Sequence, residues 1–316
     1  MNRVFHSGDL GDLVYAMPIF RALDPCEVWI DDRPWTAKIL GPRFEAIKPL
    51  LGSQPYVASV HAGTPHVTHF DVSTFRDGGH PFGERLSDIQ ARWLKVEISH
   101  EPWISVGPSK ATRGRVIVHR SPRYNNPFFP WAKVAAHYGD ALLAVGSPQE
   151  VSALSEACGR GIEHLATGNF LELAEAIAGA DRFIGNQSSP CAVAVGLGVP
   201  YVQETCIWTP DCLFPERRDA VHCIDGGIPG VCLPWEPQPE VNENETPPGG
   251  WRWVDLDGRT GASLSLLDAV RCSRLPKGEV IRQNVARLPK HFFRQNPEQL
   301  FGGGQKKLLE LSGVSA

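Results

Sequence analysis

Val4-Phe5-His6-Ser7-Gly8-Asp9-Leu10-Gly11-Asp12-Leu13-Val14 reads as a short apolar strand that enters a small-residue turn and continues as a helix through Tyr15–Leu23. A strand–glycine–helix turn gathers backbone N–H groups and the positive end of a helix at one point, which suits an anion. A carboxylate standing where that helix opens can act on whatever is bound there. Asp12 is therefore the candidate catalytic group, with Asp9, nearer the turn apex, as its rival or as a helix cap. Pro18 predicts a kink in the helix.

Working outward, strand-like and helical segments alternate along most of the chain. Val28–Ile30, Tyr56–His61 and Phe70–Ser73 read as strands and Glu84–Leu94 as an amphipathic helix. Residues 101–114 have no periodicity and many breakers, and read as a linker. A second alternation then begins. It predicts strands at Arg115–His119, Ala141–Val145, Ile162–Leu165, Arg182–Ile184 and Pro200–Gln203, with helices at Trp131–Tyr138, Gln149–Cys158, Phe170–Ala178 and Ser189–Leu197. Strand–helix repetition at this pitch implies parallel sheets with right-handed crossovers, so the fold class is α/β with two doubly wound halves.

The second half carries its own strand–turn–helix: Phe183-Ile184-Gly185-Asn186-Gln187-Ser188-Ser189-Pro190-Cys191-Ala192. Proline in a first helical turn and serine as a cap both favour a helix start here, and free N–H groups with hydroxyls suit a phosphate. Two such turns, one per half, can face each other across a cleft. Glu204 ends the last of these strands, where acidic residues often grip ribose hydroxyls, and is assigned to a donor ribose.

The chain has 316 residues, 42% hydrophobic and 21% charged, with a formal net charge of −4. That length favours two domains, and that charge argues against nucleic-acid binding over the whole surface. The distribution is uneven: residues 271–316 hold nine Lys/Arg against three acidic residues. No apolar run is long enough to span a membrane, and the eight cysteines form no CxxC pair, so reduced cysteines and a cytoplasmic location are expected. Cys206, Cys212, Cys223 and Cys232, with His222, match no common zinc spacing. The stretch 225–261 turns irregular, rich in proline and paired glycines, and reads as a functional lid or a disordered loop.

Leu10-Gly11-Asp12 followed by Pro18 resembles the N-terminal signature of glycosyltransferase family 9, the lipopolysaccharide heptosyltransferase family. The stretch from Gly185 through Ala194, with Gly196-Leu197-Gly198-Val199-Pro200, is similar to that family's C-terminal donor motif. Val116–Arg120, Phe129-Pro130-Trp131, Ala144–Ser147 and Leu171–Ala180 follow its middle pattern. The resemblance covers about the first two hundred residues. It implies GT-B architecture: an acceptor-binding domain over 1–108, a nucleotide-sugar-binding domain over 115–270, and C-terminal helices over 271–316 that pack back toward the first domain.

The resemblance also implies an inverting, metal-independent transfer of a sugar from a nucleotide-sugar donor to an acceptor hydroxyl, with Asp12 as general base and no cofactor. Donor contacts fall on Gly11, Asn186, Gln187, Ser188, Ser189, Pro190 and Cys191. The family has Asp, Gly and His where this chain has Gln187, Ser189 and Ala192, which leaves the donor sugar and base open. Arg120, Arg123 or Tyr124 could supply the missing polarity, a guanidinium by paired hydrogen bonds to pyrophosphate. Three alternatives stand beside this one: transfer to nucleic acid through the basic tail, a nucleotide-binding protein without catalysis, and a nicotinamide-dependent dehydrogenase. The last is suggested by Gly8-Asp9-Leu10-Gly11 with Asp31 about twenty residues on, although His6 occupies the first glycine position of that fingerprint.

Overall fold

A computed structural model of the chain describes residues 1–33, 36–78, 85–126, 129–206, 212, 214, 220–223, 251–254 and 260–263. Strands β1 (Asn2–His6), β2 (Cys26–Ile30), β3 (Val57–Ala62) and β4 (Phe70–Asp71) form a parallel sheet in the order β3-β2-β1-β4. Helices α1 (Leu10–Ala22) and α2 (Pro42–Gly52) connect its first three strands, and α3 (Leu86–Leu94) follows the fourth.

A second parallel sheet is built from β5 (Val116–His119), β6 (Leu142–Ala144), β7 (Glu163–His164), β8 (Arg182–Asn186), β9 (Tyr201–Glu204) and β10 (Ala220–Cys223). Its order is β10-β9-β8-β5-β6-β7. Between its strands run α4 (Trp131–Tyr138), α5 (Pro148–Cys158), α6 (Phe170–Gly179) and α7 (Ser189–Leu197). The α/β class with two parallel sheets is the one the sequence implies.

Local chemistry explains these boundaries. The Ser147 hydroxyl and the Glu150 carboxylate form a reciprocal capping box at the start of α5, and Asn169 Oδ1 accepts the Leu171 and Glu172 N–H groups at the start of α6. Gly159 and Gly198 end α5 and α7 in the left-handed conformation. Along β5 the pleat sorts Val116 and Val118 onto one face, with Trp131, Val134, Val151 and Leu154, and Ile117 onto the other, with Leu173, Ile177 and Phe183.

Helix α7 is apolar all round because it is covered on two sides, by its own sheet and by α1. The packing of α1 on α7 and of α2 on α6 makes one hydrophobic core continuous between the halves. It also sets the two glycine–serine turns opposite each other.

Several sequence expectations are corrected here. Helix α2 is not among the elements expected from the sequence, where Pro42 and Pro49 interrupt its pattern. Pro42 instead occupies the first helical turn, where no N–H is needed, and Phe44, Ile47, Leu50 and Leu51 supply a buried stripe. The 101–114 linker joins the two halves and is held against them: the Trp103 and Ile104 N–H groups donate to the Gly196 carbonyl at 2.8 and 3.0 Å, and the Arg21 guanidinium donates to Ser99 and Pro102 carbonyls. Within the stretch expected to be irregular, β11 (Trp251–Val254) pairs antiparallel with β12 (Thr260–Ser263). The basic tail, residues 271–316, lies outside the described residues, as does most of 225–261. No helix among the described residues is long and apolar enough to cross a membrane.

Candidate active site

In a parallel sheet, ligands bind outside the carboxyl ends of the strands where the strand order reverses. The first sheet reverses between β1 and β4, and the second between β5 and β8. Of the residues that follow these four strands, 9–12, Arg76, 121–124 and 187–190 line the cleft between the halves.

At the first reversal, Asp12 is 5% exposed. Its Oδ2 accepts the Asp9 backbone N–H at 3.0 Å, and Arg76, beyond β4, brings one Nη within 2.8 and 3.0 Å of the two carboxylate oxygens. The Gln90 amide of α3 donates to the Asp12 carbonyl at 3.0 Å. Backbone, rotamer and charge of the carboxylate are thus held from three elements. Gly8 is required by close approach: a Cβ there would sit 2.7 Å from both Asp12 Oδ2 and His6 Cε1.

His6 lies fully buried beneath the turn, with Nδ1 accepting the Gly8 N–H at 3.0 Å and Nε2 without a hydrogen-bond partner. Burial pushes its pKa down to about 4, against the pull of Asp12, so it is neutral at pH 7. Asp9, the rival carboxylate, faces a cationic ring formed by Arg43 (3.4 Å), Lys38 (4.0 Å) and, from the second half, Arg123 (3.9 Å).

At the second reversal, Ser188 Oγ donates to the Asn186 carbonyl at 3.1 Å and lies 3.0 Å from His119 Nδ1. His119 Nε2 faces Glu150 Oε1 at 3.8 Å. The nearby His119 imidazole, with the N–H and hydroxyl of Ser147 as hydrogen-bond donors, brings the Glu150 pKa down to about 2. The Ser188 side chain caps no N–H of α7, and the first turn of that helix holds no acidic residue.

A cavity of about 120 Å³ is lined by Asp12, Gly11, Arg43, Arg76 and Tyr15 from the first half and by Arg123, Tyr124, Gln187, Ser188 and Ser189 from the second. It shares Leu10, Arg123, Gln187, Ser188 and Ser189 with a larger cavity of about 610 Å³ at the carboxyl ends of β5, β6 and β8, whose walls include His119, Gly146, Thr167 and Pro190.

Of the residues expected at a ligand, Asp12, Gly11, Arg123, Gln187, Ser188, Ser189 and Pro190 line these cavities. Four do not. The Glu204 carboxylate is fully buried and accepts from Arg120, from the Asn126 N–H at 2.8 Å and from Trp131 Nε1 at 3.0 Å; burial raises its pKa against these partners. It has no face left for a ribose, and Arg120 is committed to it through both Nε and Nη2. Asn186 is also buried, and its amide binds the 121–125 loop. The Cys191 thiol is sealed in the core, 3.6 Å from Gln203 Nε2.

Asp31, the acid of the dehydrogenase alternative, is likewise saturated by Arg33 and Thr36. Among the described residues no cluster of His, Cys, Asp and Glu is placed to hold a metal, and His222 Nε2 is engaged by the Tyr201 hydroxyl and the Phe214 N–H.

Sequence inspection missed Arg76, Arg43, His119 and Glu150. His119 closes an apolar strand, a signal that Glu204 shares and that does not by itself tell a ligand contact from a buried one. For Arg76 there is none, because it stands 64 residues from Asp12.

No protein-family model matches the chain, and no curated protein matches it. Solved structures do. A family 9 glycosyl transferase from Veillonella parvula is 13% identical, with a TM-score of 0.46 over 70% of this chain and 84% of that one. The dodecameric iron-containing glycosyltransferase TibC of enterotoxigenic E. coli is 17% identical, with a TM-score of 0.46 over 69% of this chain. The match spans 61% of the TibC chain. The E. coli ADP-heptose lipopolysaccharide heptosyltransferase II is 13% identical, with a TM-score of 0.42 over 70% of this chain and 90% of that one.

Proposed function

We propose that this protein is an inverting glycosyltransferase that moves a sugar from a nucleotide-sugar donor to an acceptor hydroxyl. The observation that carries this is one cavity lined by the Asp12 carboxylate on one side and by Ser188 and Ser189, at an uncapped helix N-terminus, on the other. An anion at α7 and a base across from it are what displacement at a sugar carbon needs.

In this scheme the nucleotide fills the larger cavity and its diphosphate rests at the α7 N-terminus. The sugar projects into the smaller cavity. Asp12 takes the proton of the acceptor hydroxyl as its oxygen bonds to the anomeric carbon, and the bond to the diphosphate breaks from the opposite face. Charge growing on the leaving diphosphate is met by the helix N-terminus and the Arg123 guanidinium, which supports transfer without a metal. Arg76 positions the base. The acceptor side is the first half, where Arg43 and Lys38 edge the cleft. A cytoplasmic site of action is part of the proposal, in keeping with Cys26, Cys158, Cys191 and Cys206, which are buried and in no disulfide.

The test is a thermal-shift panel of ADP, UDP and GDP with their sugar conjugates, followed by donor turnover with wild type and Asp12→Asn. A conjugate that raises the melting temperature and is turned over only by the wild type is the expected result. Absence of any nucleotide response, or equal turnover by both proteins, removes the proposal.

A further inference from the structure

Three residues that looked like ligand contacts, Arg120, Asn186 and Glu204, turn out to be the foundation of one loop. Asn186 Oδ1 accepts the Ser121 N–H at 3.1 Å. Its Nδ2 lies 3.0 Å from the Ser121 carbonyl, 2.6 Å from the Arg123 carbonyl and 2.9 Å from Asn125 Oδ1. Glu204 fixes the two ends, through the Arg120 guanidinium and the Asn126 N–H. Two fully buried polar side chains at neighbouring strand ends are thus spent on holding residues 120–126 in one shape.

What the loop presents is Tyr124. Its backbone lies in the left-handed region, φ +58°, although Asn125 beside it is the residue type that tolerates this conformation better. Tyr124 is 41% exposed and lines the cavity that holds Asp12. The Arg123 guanidinium stands 5.5 Å from the ring centroid and also reaches Asp9 across the cleft. A strained, wet aromatic held in place by buried amide and carboxylate groups is costly as architecture. Such outliers persist where the surrounding structure over-determines them, and they gather at binding sites.

We propose that Tyr124 is the platform for the donor's sugar: the apolar C–H face of a pyranose packs on the ring, and this contact selects which sugar is accepted. The inference rests on the glycosyl-transfer reading above. It assigns the sugar rather than the acceptor because Tyr124 comes from the same half as Ser188 and Ser189, next to where the diphosphate would end.

The experiment compares affinities of wild type, Tyr124→Phe and Tyr124→Gly for a nucleoside diphosphate and its sugar conjugate, by calorimetry, using the ADP, UDP or GDP pair that the wild type binds best. Tyr124→Gly also relieves the left-handed strain, so its melting temperature should not fall. The expected result is a loss of roughly tenfold for the conjugate in Tyr124→Gly, with the free diphosphate bound within about twofold of wild type and Tyr124→Phe unaffected.

Equal affinity of Tyr124→Gly and wild type for the conjugate overturns the platform. So does a parallel loss for both ligands, which would mean a role in general pocket structure, or a loss in Tyr124→Phe equal to that in Tyr124→Gly. Wild type that binds no nucleotide at all overturns both this inference and the proposed function.

Discussion

The two turns that face each other across the cleft share a plan and differ in charge. Each is a strand end, small residues and a helix start, and the third helical residue is Asp12 in α1 but Cys191 in α7. In α1 a carboxylate accepts the Asp9 N–H and sits in the positive field of its own helix end. An incoming anion would be repelled there. In α7 the corresponding side chain is a thiol turned into the core, with its pKa pushed up to about 12 by burial, and the helix end is left to a ligand. One plan therefore yields a seat for a base in one half and a seat for an anion in the other, and the carboxylates of Asp9 and Asp12, set against Ser188 and Cys191, make the distinction.

That contrast can be broken at its strongest point first. Asp12→Asn keeps shape and removes charge, so donor turnover should fall by about a thousandfold while the melting temperature stays within a few degrees. A loss of under about tenfold would deny Asp12 the role of base.

Next in size is the cost of the fully buried histidine under the first turn, whose Nε2 has no hydrogen-bond partner. His6 titrates near 4 when folded and near 6.5 when unfolded. A depressed folded value means that the unfolded chain binds the proton first as pH falls. Stability from this group is therefore whole above about pH 6.5 and is lost progressively down to about pH 4, by about 3 kcal/mol at most. Urea midpoints measured between pH 7.5 and 4.5 should fall less steeply for His6→Asn, whose amide oxygen can still accept the Gly8 N–H. Parallel slopes would show that His6 is not the group responsible.

Ser188→Asp would make the second turn electrostatically like the first. Calorimetry should show binding of the best nucleoside diphosphate weakened at least about thirtyfold. The melting temperature should hold or rise, because an acidic cap favours the helix. Unchanged binding would place the anion elsewhere. Smallest in effect, Arg76→Gln should lower turnover by roughly tenfold and leave donor KM unchanged, since Arg76 orients the base and does not touch the nucleotide. A rise in KM alone would reassign it to substrate binding.

Much of the fold was legible residue by residue. Apolar runs such as Val116–Val118 and Phe183–Ile184, followed by capped helices, identify strands and crossovers wherever the pattern is unbroken, and both functional turns are visible in this way. Helix α2 was hidden because two prolines mask its stripe, and β10 because one short strand carries too little periodicity. At the site, Asp12 and Ser188 stand at helix starts that local chemistry announces. Arg120, Asn186 and Glu204 were misjudged, since a polar residue closing a strand looks the same whether a ligand or a buried loop will occupy it.

By itself the sequence determined that two strand–glycine–serine–helix units exist, that one bears a carboxylate at its third helical position and that the other bears none. These are local properties of a few consecutive residues. Only the tertiary structure decided that the two units meet. The packing of α1 on α7 and the strand orders β3-β2-β1-β4 and β10-β9-β8-β5-β6-β7 are set by long-range burial of apolar faces, which no short window encodes. That burial brought Arg76 to Asp12 and His119 to Ser188, and it turned three expected ligand contacts into the support of the loop that carries Tyr124.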